Sequence, residues 1–481
     1  MKKLVFIVIT LLAAAAAAWY FLRPGDKARD VVPADAVAVG VLQSARLVEA
    51  LGLTSGEVKE LAASLGDLAE AVDIGKPAYA FVSERGLSGV AINVNDADKL
   101  LSVASAFGFA STSGSGYQWL TNSSAIGCFD DDKLLLCGPA SVAEQDALRS
   151  EMLRLMKQAR QDVPILEKAN RQEGFLRLSA PLESLPKEYV PKGFDVSGAL
   201  LSTSLSLGRQ DITLSAKVED KDGKPYSGCP EGEELLRPID GLLLTALPDN
   251  PFAWFCMGVK GGQLLKFLRH VPQVSSMLMM LNVAFFDADL LLKAIDGDVV
   301  LMVPKADFIH PEALITAHIS NSDFLKNAED WDTTSSVGDM NLRRRGENDY
   351  VFSFQGQSAY FGVRGDLLYI ATSERLAEQG ARSRGQGARG KEQGARGKEQ
   401  GARGKEQGGK YLSGSVDLSQ LVRSYASVAL MLGAAPQLYE AVDALDRLNI
   451  KSEAPLSFEL SLTTKKPIKE ITAILTKDKT D

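Results

Sequence analysis

The fold is decided by two related stretches, VPADAVAVGVLQSARLVEALG at Val32–Gly52 and LPDNPFAWFCMGVKGGQLLKFL at Leu247–Leu268. Each stretch begins with a proline turn, continues as a short apolar strand and ends as a helix with a stripe of leucines. Eight such matches follow one another in the same order over roughly two hundred residues. Because chance does not readily produce so many matches in one order, the sequence predicts an internal duplication with two homologous domains.

Two of the later matches concern particular positions. VAINVNDADKLL at Val90–Leu101 matches ITAHISNSDFLK at Ile315–Lys326, which puts His318 at the place of Asn93. LLSTSLSLG, which begins at Leu200, matches PLSFELSLT in the second half. After each of these two segments we expect one last strand, ITLSAKV in the first copy and ITAILTK in the second.

The order and pattern of the segments predict the fold class. The strands alternate polar and apolar residues, as in Ser204-Leu205-Ser206-Leu207, which is typical of a sheet with one solvated face. We predict an α+β fold of two tandem homologous domains, each a mostly antiparallel sheet with helices packed on one side, after an N-terminal transmembrane helix. The predicted segments are 1–31 for the anchor, 32–220 for copy one, 221–246 for a linker and 247–481 for copy two, with a disordered heptapeptide-repeat insertion at 378–410.

The N-terminal segment has the composition of a membrane anchor. Lys2 and Lys3 precede Leu4–Leu22, which is nineteen residues long and carries no charge. A helix of that length spans the ~30 Å apolar core of a bilayer, and the lysines favour the cytoplasmic side. We therefore expect a single-pass inner-membrane anchor at residues 4–22 with the body in the periplasm. The alternative is a cleaved signal peptide with its site in Ala13–Ala18 and a body secreted to the periplasm.

A tract of seven-residue repeats interrupts the second copy between Glu378 and Lys410. It contains repeated glycines and no large apolar residue, so it predicts a flexible basic loop in place of a helix rather than a coiled coil. The tract carries a net charge of +5 and the first 31 residues carry +3, so the remaining chain carries −16. An acidic body of this kind predicts no nucleic-acid partner. A basic arm that contacts anionic lipid, polysaccharide or nucleic acid is the alternative to a neutral expansion of the repeat.

The reactive residue types are few and scattered. The three histidines, His270, His310 and His318, belong to no zinc motif, and the chain has no GxSxG sequence. We therefore assign no catalytic, cofactor-binding or metal-binding residue and expect a protein that is not an enzyme. The cysteines are predicted to be buried free thiols, with a bridge between the first two left open. They are Cys128, Cys137, Cys229 and Cys256.

One segment is a candidate for an apolar ligand or an interface. The stretch VPQVSSMLMMLNVAFF at 271–286 is the most apolar part of the chain after the N-terminal segment. Its methionines make it adaptable, and core packing is the default interpretation. The alternative is a surface that lines a groove for an apolar ligand or contacts another domain. The residues concerned are Met277, Met279, Met280, Phe285 and Phe286.

The lysine-led anchor, the VPADAVAVGVL opening and the second copy together resemble a known family. This family comprises uncharacterised, membrane-anchored envelope proteins of Bacteroidota known only as a domain of unknown function. The resemblance implies a bacterial cell envelope and brings no activity or catalytic residues. Our leading hypothesis is a non-enzymatic envelope protein that acts as a binding or structural module, with an envelope protein or a lipid as partner. The alternatives are a carrier or sensor of an apolar ligand such as lipid, and a hydrolase with an unrecognised site.

Overall fold

The computed structural model describes most of the chain. The described residues are 26–138, 141–184, 196–226, 235–248, 250–269, 275–276, 278–279, 287–307, 310–325, 340–389, 409–431 and 436–476. The chain divides into two compact units. Unit 1 comprises the chain up to Ser184, Gly198–Asp222 and Pro467–Glu470, and unit 2 comprises the remainder.

The elements of unit 1 are ten strands and six helices within the described residues. The strands are β1 Ala36–Leu42, β2 Ala78–Ser83, β3 Ser88–Asn93, β4 Ala110–Gly114, β5 Tyr117–Thr121, β6 Ile126–Phe129, β7 Lys133–Cys137, β8 Leu176–Pro181, β9 Leu200–Leu207 and β10 Asp211–Glu219. The α-helices are α1 Ser44–Leu51, α2 Ser55–Leu65, α3 Asp67–Ala71, α4 Ala97–Ala106, α5 Val142–Lys157 and α6 Pro164–Asn170. Short 3-10 helices lie at Ala28–Val31 and Leu182–Ser184.

The remaining elements repeat this plan. The strands are β11 Ala253–Lys260, β12 Ile295–Val303, β13 Leu314–Ile319, β14 Met340–Gly346, β15 Asp349–Phe354, β16 Gln357–Arg364, β17 Leu367–Ala371, β18 Leu412–Asp417, β19 Leu445–Ser452 and β20 Ser457–Thr464. The α-helices are α7 Gly261–Arg269, α8 Ala288–Ala294, α9 Glu374–Arg389, α10 Leu418–Met431, α11 Pro436–Asp443 and α12 Ile468–Thr476. Short 3-10 helices lie at Leu243–Ala246 and Asp323–Leu325.

Strand order is the same in the two units. In unit 1 neighbouring strands pair in the order β10-β9-β8-β1-β2-β3-β7-β6-β5-β4, and every one of these pairings is antiparallel. In unit 2 the order is β20-β19-β18-β11-β12-β13-β17-β16-β15-β14, again antiparallel throughout. The predicted α+β class with an antiparallel sheet is therefore confirmed. The shared order is also the arrangement that an internal duplication predicts.

Helices cover both faces of the unit 1 sheet, so the expectation that they pack on one side was wrong. Leu135 of β7 lies in the main core with Met152 and Leu155 of α5. Its neighbour Leu134 points to the opposite face, where it packs in a cluster that contains Leu100 of α4. Each face presents apolar side chains, and different helices bury them. The second face is covered only in part, and the uncovered part is described below.

The heptapeptide tract begins as a helix, which corrects the predicted loop. Helix α9 runs from Glu374 to Arg389, at the place in unit 2 that α5 has in unit 1. Its first turns place Leu376, Ala377 and Ala381 in the core. Gly380 allows this close packing, because a Cβ there would lie 3.0 Å from Leu314 Cδ1. Tertiary packing thus overrides the low helix propensity of glycine. Residues 390–408 of the tract lie outside the described residues.

The last segment, ITAILTK, is a helix and not the predicted strand. Ile468 and Ile471 are both buried and three residues apart, which is a helical spacing. Ile471 packs with Ala441 and Ala444. The strand that matches ITLSAKV is instead β20, which contains the SFELSLT segment. Its predecessor β19 occupies the place of β9.

Both units begin earlier than predicted. Ala28 and Val31, assigned to the anchor segment, are buried in the core of unit 1. Ile239 and Leu244, assigned to the linker, are buried in the core of unit 2. These segments belong to the units because their apolar side chains pack in the two cores. Among the described residues no helix is both long and apolar enough to cross a membrane. The predicted anchor at residues 4–22 lies outside that part of the chain.

Candidate functional site

A row of five small or aliphatic side chains crosses the second face of the unit 1 sheet. Leu178, Gly40, Ala80, Val90 and Leu136 lie side by side on β8, β1, β2, β3 and β7. We call them the unit 1 row. Because side chains alternate along a strand, the row faces away from the main core, to which the neighbouring positions of these strands point. The neighbouring row on this face packs against α1 at Leu42 and against α4 at Ile92 and Leu134.

The unit 1 row forms the floor of an open groove of about 590 Å³. Its rim is apolar and accessible, since Val82, Val90 and Leu178 are 40%, 37% and 37% exposed. All five strands under the groove have a hydrogen-bonded neighbour on both sides. The strands therefore offer the groove hydrophobic surface and no free backbone groups. This is the composition of a site for an apolar ligand.

The matching row of unit 2 is built differently. Gly414, Phe255, Leu301, Ile315 and Ile370 lie side by side on β18, β11, β12, β13 and β17. We call them the unit 2 row. Phe255 stands at the place of Gly40, and Gly414 at the place of Leu178. The ring of Phe255 covers Gly414, where a Cβ would lie 3.0 Å from Phe255 Cδ2. A ring thus occupies the position at which unit 1 has no side chain.

The start of unit 1 is held on its sheet by Asn93 at the end of β3. The Asn93 side chain donates to Asp26 Oδ1 at 3.0 Å and accepts the backbone N–H groups of Lys27 and Ala28 at 2.9 and 3.1 Å. Tyr79 of β2 donates its hydroxyl to Asp26 Oδ2. Burial, followed by the charge of Asp26, raises the pKa of Tyr79. These contacts fix the segment that leads into the first 3-10 helix.

The start of unit 2 is held by a related cluster with two carboxylates. Asp298 of β12 is 1% exposed and accepts the backbone N–H groups of Asp240 and Gly241 at 3.1 and 2.9 Å. His318, at the place of Asn93, lies with its Nδ1 3.7 Å from Asp240 Oδ2. Burial, followed by a hydrogen bond with the Asp240 side chain, raises the pKa of Asp298 to about 7. The unit 2 cluster therefore contains a group that titrates near neutral pH, Asp298. In unit 1 the uncharged side chain of Asn93 holds the segment.

Neither cluster has the geometry of a catalytic site. The carboxylate of Asp298 is enclosed, and backbone N–H groups occupy both of its oxygens. A carboxylate in this setting holds a segment in place and does not reach a ligand. Within the described part of the chain no group of three or more His, Cys, Asp or Glu side chains is arranged to hold a metal ion. The clusters are best explained as contacts that hold the preceding segment on the sheet of each unit.

Few of the residues singled out from the sequence come together. Met279 is 63% exposed, whereas its neighbour Leu278 is buried against Leu265 and Ala288. The other four candidates of that segment, Met277, Met280, Phe285 and Phe286, lie outside the described residues. His310 lies on the surface near Asp307, 4.0 Å from its carboxylate, and His270 is outside the described residues.

Three of the four cysteines are buried free thiols, as predicted. Cys128 lies opposite Leu135 and Cys137 lies opposite Ile126, so the two thiols are not directly across the hairpin from each other. Burial raises the pKa of Cys128 and of Cys137 to about 12, which keeps both thiols protonated and unreactive. Cys229 lies outside the described residues.

The groove and the clusters were not identified from the sequence. The duplication does hold a signal for the groove, because the match between Val32 and Leu247 puts Gly40 opposite Phe255. It holds one for the clusters too, since it pairs Asn93 with His318. The sequence does not show which residues these positions contact, because residues that meet in the cluster, such as Asp240 and Asp298, are far apart along the chain.

Comparison with known sequences identifies a family. The sequence profile of a domain of unknown function, DUF4836, matches residues 140–386, slightly over half of the chain. The chain belongs to this family. The predicted relationship to a domain of unknown function is thereby confirmed. No curated protein is significantly similar to the chain.

Solved structures that match this family member include crystal forms of TP0453. Crystal form III has a TM-score of 0.28 and 15% identity, and the alignment covers 42% of this chain and 84% of that one. Crystal form IV has a TM-score of 0.26 and 16% identity, with 39% and 79% covered. TM-scores this low do not establish a shared fold.

Proposed function

We propose that the protein is a non-enzymatic, membrane-anchored binding protein of the bacterial cell envelope, of the kind found in Bacteroidota, and that the unit 1 groove is its binding surface. The anchor would be residues 4–22, and the body would lie in the periplasm. The two units would be homologous domains that arose by duplication. The single observation that carries the proposal is the difference between the two rows.

The difference between the rows argues for binding in unit 1. In unit 2 the protein's own side chains fill the row, as the ring of Phe255 over Gly414 illustrates. Unit 1 has glycine and alanine at the corresponding floor positions, Gly40 and Ala80, within a rim of aliphatic side chains. The backbone does not require this glycine, because a Cβ at Gly40 would meet only Ala80 Cβ at 3.7 Å and Arg177 O at 3.9 Å. An accessible apolar groove whose floor could hold a side chain, and does not, favours an external ligand.

Membrane anchoring is supported by the sequence at the start of the chain. Leu4–Leu22 has the length and composition of a spanning helix. Only Arg23, Pro24 and Gly25 separate it from Asp26, where the contacts of unit 1 begin. Three residues span at most about 10 Å, so unit 1 would lie next to the bilayer.

The proposal is tested by a photoreactive residue in the groove. In the full chain, Val82 is replaced by an amino acid that carries a benzophenone group. The membranes of the cells that produce this variant are then irradiated. We expect a covalent adduct at Val82. The matched control carries the same group at Thr112, which is exposed on β4 outside the groove. An adduct of equal yield at Thr112, or none at Val82, would overturn the proposal.

A further inference from the structure

The groove of unit 1 has no assigned occupant. We infer that it binds a single acyl chain of a membrane lipid, an inference that rests on the proposed function. Three features of unit 1 favour a lipid chain over a polypeptide. They are the hydrogen bonding of the floor, the size of the groove and its position relative to the predicted anchor.

The floor of the groove suits a ligand that has no hydrogen-bonding groups. It consists of the middle strands of the sheet, whose backbone groups are used by their neighbours. An extended peptide laid on this face would bury its own N–H and C=O groups without partners, at a considerable cost per group. Peptides that add to sheets do so at edge strands, and these strands are not edges. An acyl chain has no such groups to satisfy.

The size of the groove fits one flexible chain. Its volume of about 590 Å³ lies within the range of ~300–1,000 Å³ that is typical of small-molecule sites. Aliphatic side chains line it from Leu178 at one end to Leu136 at the other, and Ser88 and Ser124 add two polar side chains to the lining. A chain that lies along the aliphatic row replaces water with apolar surface.

The groove lies in the unit that follows the predicted anchor. Val90 of the floor and Asn93, which holds Asp26, belong to the same strand, β3. They are three residues apart, so their side chains point to opposite faces of the sheet, and the groove lies on the face opposite to Asp26. The anchor would nevertheless hold this unit, and the groove with it, next to the bilayer that supplies the acyl chain.

The test uses the full chain in the membranes of the cells that produce it. A fatty acid with a diazirine in the middle of its chain is fed to the cells and incorporated into their lipids. After irradiation, the labelled peptides are mapped by mass spectrometry. We expect label in the β2–β3 hairpin, residues 78–93, in addition to label in residues 4–22, which serves as the internal reference.

Gly40→Phe recreates in unit 1 the arrangement of unit 2 and should block the groove. The expected result is loss of label from the β2–β3 hairpin, with the label in residues 4–22 unchanged. Thr112→Phe adds the same ring outside the groove and should keep both labels. Because a large side chain at position 40 could disturb folding, hydrogen exchange of unit 1 is measured in parallel. Ala80→Phe, at an exposed position of the same row, provides a second variant with the same expected loss.

The outcomes separate the two proposals. Label confined to residues 4–22, or hairpin label that survives both Gly40→Phe and Ala80→Phe, overturns the lipid chain as occupant. A protein adduct at Val82 together with no hairpin label would retain the groove as a binding surface and exclude the lipid. Absence of any adduct at Val82 with no hairpin label would overturn both.

Discussion

Units 1 and 2 share one strand order and differ in two places, the cross-strand row and the cluster that holds the first segment on the sheet. In unit 1 the cross-strand row has Gly40 on its floor, and an asparagine holds the first segment on the sheet. In unit 2 the row has Phe255 there, and an aspartate pair with a histidine holds the first segment. The frame of the sheet is common to both. The two units therefore differ in the side chains of the row and in the titratable groups that hold the first segment, and not in strand order.

The largest effect in this comparison is expected from Asn93→Ala. This change leaves the backbone N–H groups of Lys27 and Ala28 without their acceptor and removes one donor to the Asp26 carboxylate, which keeps its bond from Tyr79. At ~1–3 kcal/mol for each buried group left unpaired, we expect unit 1 to lose about 3 kcal/mol or more. Hydrogen exchange measured peptide by peptide reports this loss separately for each unit. Asn95→Ala is the matched control, because Asn95 makes one exposed bond, to the carbonyl of Glu70, and should cost under about 1 kcal/mol.

If Asn95→Ala destabilised unit 1 as much as Asn93→Ala, the role of Asn93 in holding the first segment on the sheet would be disproved. If the loss of stability appeared in unit 2 instead, the two units would not unfold independently.

The second effect concerns pH and is expected in unit 2. Asp298 has a pKa of about 7 in the folded protein, against about 3.9 in an unfolded chain. A raised pKa gives stability that is complete below about pH 4 and is lost as the pH rises through about 7. Between pH 5 and pH 8 this amounts to roughly 2 to 3 kcal/mol. We expect hydrogen exchange of residues 235–247, corrected for its intrinsic pH dependence, to become faster over that interval.

Asp298→Asn tests the cause of that dependence. The amide oxygen keeps an acceptor for one of the two N–H groups of Asp240 and Gly241, and the amide nitrogen removes the acceptor of the other together with the titrating charge. The pH dependence of stability between 5 and 8 should flatten, while the lost hydrogen bond lowers the stability of the variant by a similar amount at every pH. A variant that keeps the full pH dependence would show that Asp298 is not its cause. Tyr79→Phe in unit 1 is the control and should leave the pH dependence of both units unchanged, because the pKa of Tyr79 is raised and lies well above this interval.

The smallest expected effect comes from Phe255→Ala. The ring is half-buried over Gly414, so we expect a loss of about 2 kcal/mol in unit 2, below the ~3–5 kcal/mol typical of a fully buried phenylalanine. The change would also open the unit 2 row. Label from the diazirine fatty acid should then appear in β11–β12 only if a small floor residue is sufficient for binding. Leu301→Ala, which truncates an exposed side chain in the same row, should cost less than Phe255→Ala.

Much of the frame could be predicted from sequence because it depends on local pattern. The match of Asn93 with His318 gave the correct register, since each lies three residues after the member of its row on the third strand, Val90 in unit 1 and Ile315 in unit 2. Local pattern also misled at ITAILTK, where isoleucine and threonine favour strand by propensity. There the three-residue spacing of Ile468 and Ile471 decided for a helix, because Ala441 and Ala444 lie against it.

The candidate site could not be predicted because it depends on what is left uncovered. Whether Ala80 faces a helix or solvent depends on where α1 and α4 pack, and that is a property of the assembled sheet. The same holds for Asp298, whose pKa depends on burial and on Asp240, 58 residues away in sequence. The pattern of residues along the chain shows neither where the helices pack nor how deeply Asp298 is buried.

The heptapeptide tract is fixed at both of its ends. Helix α9 is held by Leu376, Ala377 and Ala381 in the core, and the chain returns at Gly409 and Lys410, which exchange backbone hydrogen bonds with Ile239. The cost of closing a loop between two fixed points rises only with the logarithm of its length. A unit of seven codons can also be gained or lost without a change of reading frame. The number of repeats can therefore change at little cost to the stability of the core on either side.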